Sequence, residues 1–159
     1  MSGGAWRVSN VQYAALPWRR AEGTVEILLV TTLNTGRWIV PKGWPLAGRT
    51  PSESAAHEAL EEAGVLGEVA AEPLGSFHYK KRRKSGEIVP CNVHVFTMEV
   101  LRQRRRWAEK SAREVCWCSL EDALARVTER GLRRLIVKFA RTSGERVKRC
   151  DTARMAAIA

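Results

Sequence analysis

Apolar and polar positions change period several times along the chain. Val25 to Thr31 is a nearly continuous apolar run rich in β-branched residues, and Trp38-Ile39-Val40 is a second, with the turn-forming stretch Leu33-Asn34-Thr35-Gly36 between them. Both predict strands. Further on, Val93, Val95 and Thr97 alternate with His94, Phe96 and Met98 in a segment running to Leu101, which predicts another. Leu120 to Val127 and Leu132 to Arg141 predict helices, with Ser119 suited to cap the first. The stretch Thr50-Pro51-Ser52-Glu53 joins a capping hydroxyl, a proline at the first helical position and an acid three residues after the cap. That is a capping-box pattern, so a helix should start at Thr50. Gly64 can take the left-handed conformation that ends it.

Plotted at about 100° per residue, Ala55, Ala56, Ala59, Leu60 and Ala63 share one side of this helix, which is the face expected to be buried. Glu58, Glu61 and Glu62 fall in one stripe on the other side. Like charges three and four residues apart repel, and the helix dipole disfavours anions near the C-terminal end. A bound cation would offset both costs. Carboxylate oxygens suit Mg²⁺, which keeps several waters and commonly joins protein carboxylates to substrate phosphates. The competing reading is a merely solvated acidic face.

The 159 residues make one domain's worth of chain, with 45% hydrophobic residues and therefore enough apolar material for a core. Residues 1–11 are expected to be a flexible N-terminal segment, 12–145 the folded domain and 146–159 a C-terminal tail. The longest aliphatic run, Ile27-Leu28-Leu29-Val30, is far too short for a membrane span, and no signal-like apolar segment opens the chain. A cytoplasmic protein is the expectation. Cys91, Cys116, Cys118 and Cys150 are read as reduced thiols, since their spacing fits neither a disulfide framework nor a zinc site. Charge changes the picture more. There are 27 Lys and Arg against 17 Asp and Glu, a net +10, and Lys80-Lys81-Arg82-Arg83-Lys84 and Arg102 with Arg104-Arg105-Arg106 concentrate the cations in two short stretches. These suit an anionic partner, a polyphosphorylated small molecule or a nucleic acid, or else serve only solubility.

Gly43, Glu58, Glu61, Glu62, Gly64 and Val65 fall on the positions of the pattern GX5EX7REUXEEXGU, where U is aliphatic, so residues 43–65 resemble the Nudix box. Gln12 to Arg19, Arg37 to Pro45, and Trp107, Arg113 and Trp117 are similar to bacterial Nudix hydrolases related to diadenosine and diphosphoinositol polyphosphate phosphohydrolases. Two positions depart: Arg49 replaces the first Glu of the pattern, and His57 its Arg. Those two positions are commonly an ion pair in the family. Glu53, one turn before His57, either substitutes for that brace or only completes the capping box.

The resemblance implies an α/β fold, an α/β/α sandwich around a mixed sheet, and hydrolysis of a phosphoanhydride. It places Mg²⁺, or Mn²⁺, on Glu58 and Glu62, with Glu61 in the inner or outer shell and the Gly43 carbonyl as a further ligand. A general base must take the attacking water's proton. Glu58 is the first choice and Glu109 the second, with Glu61 also grouped among the catalytic acids. Arg19, Lys42, Lys80, Lys81 and Arg82 are the expected phosphate binders. They favour a small-molecule substrate such as a diadenosine or diphosphoinositol polyphosphate, acted on by a monomer or homodimer with no membrane partner. The rivals are ADP-ribose, a nucleotide or an RNA 5′ end as substrate, and a non-catalytic basic RNA-binding scaffold. His94 reads as a packed strand histidine, His78 equally as a phosphate-facing or an exposed strand-end one, and most tryptophans as core, although Trp18, Trp38 and Trp44 lie near the expected cleft.

Overall fold

The computed structural model describes residues 10–144, so the expectations for the tail and for Cys150 lie outside the described residues. Eight strands and three helices follow one another: β1 Val11–Ala21, β2 Thr24–Thr31, β3 Trp38–Ile39, β4 Lys42–Gly43, α1 Pro51–Ala63, β5 Val65–Val69, β6 Gly75–Arg82, β7 Ile88–Gln103, β8 Val115–Ser119, α2 Leu120–Arg126 and α3 Arg130–Thr142. The first strand begins at Val11, inside the segment expected to be loose. It is the centre of the sheet, parallel to β7 and antiparallel to β2 and β4, so the sheet is mixed as expected. Sequence patterning hid β1 because Pro17 and Arg19-Arg20 interrupt its apolar run. Pro17, which has no N–H, sits where the strand exchanges β4 for β2 as its neighbour. Glu22 and Gly23, both at positive φ (51° and 80°), then form the two-residue turn into β2.

The 16-residue β7 pairs with β1 on one edge and with β5 and β6 on the other, holding the two ends of the sheet together. Helix α1 packs on β1 and β5, while α2 lies on β2 and β8 and α3 on β6. In α3 the buried residues Leu132, Leu135, Ile136, Phe139 and Ala140 recur at helical spacing, and Phe139 meets Trp18 of β1 at a ring separation of 5.9 Å. No helix among the described residues is long and apolar enough to cross a membrane.

The start and stop of α1 follow its sequence. Glu53 N–H donates to Thr50 Oγ1, Thr50 N–H donates to Glu53 Oε2, and Gly64 ends the helix at φ 70°. The buried face is rotated from the expected one. Ser54 and Glu62 are buried with Ala55, Ala59 and Ala63, whereas Ala56 and Leu60 are only half-buried. Ser54 is drawn inward by the loop before the helix, its Oγ accepting the Leu46 N–H at 3.2 Å. Glu62 is drawn inward by partners described next.

Candidate active site

Two carboxylates of α1 meet the short strand β4. Glu62 Oε2 accepts the Lys42 backbone N–H at 3.3 Å. Glu58 occupies the space above Gly43, where an added Cβ would lie 2.3 Å from its carboxyl carbon. Only a glycine at 43 leaves the Glu58 carboxylate in this place, because the glutamate fills the space of a side chain. Glu61 points elsewhere: it is 39% exposed and its Oε1 lies 3.9 Å from His57 Nε2. His57 thus faces Glu61 across one turn, while Glu53 is engaged in the capping box. Of the two readings of Glu53, the capping box forms and the brace to His57 does not. The departure at Arg49 leaves the helix start intact, since Thr50 and Glu53 cap it without help.

Glu62 is 3% exposed, and one cation compensates it directly. Arg113 Nη2 lies 3.2 Å from Glu62 Oε1 and 3.4 Å from Glu109 Oε1, and its Nη1 donates to the Thr31 carbonyl at 2.9 Å. This guanidinium ties the loop before β8 to α1 and to the end of β2. Burial pushes the Glu62 carboxyl up to about 8; Arg113 opposes the shift and Glu58 adds to it. Burial raises Glu58 as well, against the pull of His57 and with the help of Glu109 and Glu61. On the other side of β4, the Lys42 ammonium donates to Tyr79 Oη at 2.9 Å, and Tyr79 donates to Gln12 Oε1 at 2.7 Å. Burial brings Lys42 down to about 8, partly countered by Glu62.

The end of α1 is held by donors from the chain after β7. Trp107 Nε1 donates to the Glu62 carbonyl at 3.2 Å, Gln103 Nε2 to that of Ala63 at 3.2 Å, the Glu109 backbone N–H to that of Glu61 at 3.0 Å, and the Arg104 N–H to that of Gly64 at 2.8 Å. The Trp107 ring lies against Gly64, where a Cβ would come within 2.3 Å of it. Four carbonyls that a helix end leaves open are satisfied in this way.

A cleft of about 360 Å³ opens beside these groups. Glu62 and Arg113 lie in its wall, and Lys42, Lys80, Lys81 and Arg82 line it together, as the sequence led one to expect. Arg37, not expected there, is a further cation, paired with Glu129 at 3.1 Å. Arg19 is a correction: it pairs with Glu26 at 3.0 Å and stacks on Trp117 at 4.0 Å, and it does not line the cleft. Its position one strand residue after Trp18 points it at β2 and β8 instead. His94 packs near Tyr13, with ring centroids 6.0 Å apart, as read from the sequence, and His78 is exposed, one of its two readings. Cys116 and Cys118 share a face of β8, with sulfurs 3.1 Å apart. Sequence reasoning gave no role to Arg113, Tyr79 or Gln12. For Arg113 the local signal was its place four residues after Glu109.

Among the described residues no three acidic, imidazole or thiol side chains converge as a closed metal cage. What converges is a pair of carboxylates, Glu58 and Glu62, on the backbone of Lys42–Gly43. Such a hard-oxygen set with room for water and phosphate ligands fits Mg²⁺ or Mn²⁺ better than a soft metal.

The comparisons agree with this geometry. A family model described as the NUDIX domain matches residues 11–139. The chain is 28% identical over 129 residues to Nudix hydrolase 13, mitochondrial, of Arabidopsis thaliana, covering 78% of this chain and 64% of that protein. It is 32% identical over 108 residues to diphosphoinositol polyphosphate phosphohydrolase 3-alpha of Mus musculus, covering 66% and 62%. The chain thus spans just under two thirds of the length of these relatives. In fold it is similar to a C. elegans Ap4A hydrolase binary complex, with a TM-score of 0.64 at 20% identity, covering 84% of this chain and 97% of that one. It is likewise similar to the NUDIX domain of Shewanella oneidensis NrtR complexed with ADP ribose, with a TM-score of 0.66 at 18% identity, covering 89% and 93%. With the matched model spanning most of the chain and two of the box glutamates, Glu58 and Glu62, gathered on β4, the protein belongs to the NUDIX domain family.

Proposed function

We propose that the chain hydrolyses a phosphoanhydride bond in a polyphosphorylated small molecule, of the diadenosine polyphosphate or diphosphoinositol polyphosphate kind. The observation that carries this reading is the carboxylate pair of half-buried Glu58 and buried Glu62 beside a cleft lined by Lys42, Lys80, Lys81 and Arg82. Glu58, Glu62 and the Gly43 carbonyl would hold Mg²⁺, or Mn²⁺, with Glu61 in the outer shell. When bound, the divalent ion neutralises the phosphates and favours in-line attack by water.

The protein's own groups do the rest. Lys42, fixed by Tyr79, presents its ammonium at the cleft, and the Lys80–Arg82 run binds further phosphates. Arg113 holds the Glu62 and Glu109 carboxylates in register. Glu58 takes the proton of the attacking water, with Glu109 as second choice.

Phosphate release from a panel of polyphosphates, measured with Mg²⁺ or with EDTA, tests the reading. Turnover should require the metal and fall by about 10²-fold or more in Glu62→Gln. A protein that is folded, binds RNA with a steep salt dependence and turns over nothing would be the non-catalytic scaffold instead.

A further inference from the structure

A second groove, of about 780 Å³, adjoins the cleft. Leu33, Asn34, Lys81 and Arg82 line both, so the two are continuous. The new elements are Trp44, Arg83 and Lys84. Trp44 reaches the groove because β4 is fixed two residues earlier, where the Lys42 N–H meets Glu62. Lys81 Nζ lies 4.7 Å from the Trp44 ring centroid, so one cation serves the ring and the cleft together.

The apolar content of this surface is as informative as its charge. Four large hydrophobic side chains are exposed among the described residues: Leu33 at 57%, Trp44 at 36%, Ile88 at 53% and Leu101 at 66%. The first three border the joined grooves. Lining the second groove are four cations and no acid. A ligand made only of phosphates would use the cations and leave Leu33 and Trp44 in water. A ligand that ends in a flat aromatic base uses both, since every base offers a face to stack on an aromatic side chain while Arg and Lys follow the phosphates.

We propose that the Trp44 groove is a second substrate subsite that takes an aromatic base at the far end of the phosphate chain. The whole surface then suits a polyphosphate that carries an aromatic base, and disfavours a phosphorylated cyclitol. This rests on the hydrolytic reading for the bond cut, but not for the binding. Stacking on Trp44 involves no base-edge hydrogen bonds from that ring, so the subsite should tolerate exchange of purines and pyrimidines.

The test compares diadenosine tetraphosphate, adenosine 5′-tetraphosphate and diphosphoinositol pentakisphosphate in wild type, Trp44→Ala and Trp44→Phe, with Mg²⁺. For the two adenosine substrates, Trp44→Ala should raise KM about tenfold with kcat kept, the scale of one base–aromatic stack, and Trp44→Phe should restore most of it. The loss should exceed any change for the cyclitol at least about fivefold. Equal changes for all three would overturn the subsite. Calorimetric titration of the same ligands in EDTA decides the matter separately from turnover. Weaker binding of both adenosine ligands in Trp44→Ala, with the cyclitol unchanged, upholds the subsite even if no bond is cut, and adenosine-ligand affinities that do not change in Trp44→Ala refute it.

Discussion

Replacing Gly43 by alanine tests the geometry of the carboxylate pair with a single carbon. The new Cβ would sit 2.3 Å from both the carboxyl carbon and Oε1 of Glu58, and ordinary contact begins at 3.4 Å, so the carboxylate must retreat by about 1 Å. The atoms in conflict are the far end of a half-buried, flexible side chain, so the helix and β4 need not move. Unfolding free energy should change by less than about 1 kcal/mol. Catalysis should not be spared, because a displacement of about 1 Å in a positioned group costs on the order of 10²-fold in rate, or roughly 2.7 kcal/mol in the barrier. Steady-state kcat/KM across a Mg²⁺ titration, alongside a thermal melt, provides the assay. The loss should be shared with Glu58→Gln, so that the double variant is little worse than either single one. A Gly43→Ala protein with wild-type turnover and metal dependence would refute the placement of Glu58, and losses that simply multiply would show that the two residues act independently.

Other outcomes follow from the same region. Above about pH 8, where Glu62 has lost its proton, Arg113→Met should destabilise the metal-free protein by about 3 kcal/mol, because it strands a buried carboxylate, and Mg²⁺ should recover part of that loss in a thermal melt. The metal-free protein should also lose stability as pH rises from about 4.5 to about 8. In that window the folded chain keeps a proton on Glu62 that the unfolded chain has released, and Glu58 shifts in the same direction. Urea melts at several pH values in EDTA check the slope, and a stability that climbs over this range would contradict it. Thr50→Ala removes the acceptor for the Glu53 N–H and should cost about 1 kcal/mol without altering kcat, as seen by chemical denaturation and turnover side by side.

What could be read in advance was local. Thr50, Pro51, Glu53 and Gly64 define α1 within four residues of themselves, and the three glutamates between them carry the family pattern, so helix and acidic stripe were both legible. Which carboxylate would be buried was not. That depends on Arg113, which reaches Glu62 only because β8 pairs with β2 and its approach is pinned to Thr31. The Lys42–Tyr79–Gln12 chain has the same character, with 67 residues separating Tyr79 from Gln12 and β1, β4 and β6 bringing the three together. Arg19 misled for the opposite reason: its residue type suits phosphate, but Glu26 and Trp117 meet it first. The pairing of β1 with β7 was concealed because a parallel pair leaves no hairpin turn in the sequence.

The last turn of α1 has no basic residue, and its carbonyls are met by two neutral side chains and two backbone amides. A lysine or arginine there would quiet the negative end of the helix equally well, but it would also be a permanent rival for the glutamates that the helix displays. Dipolar donors separate the two tasks. They satisfy the helix end without adding a fixed charge beside the acidic stripe, so the cations that act on it come from outside that turn, Arg113 on Glu62 and, when protonated, His57 on Glu61.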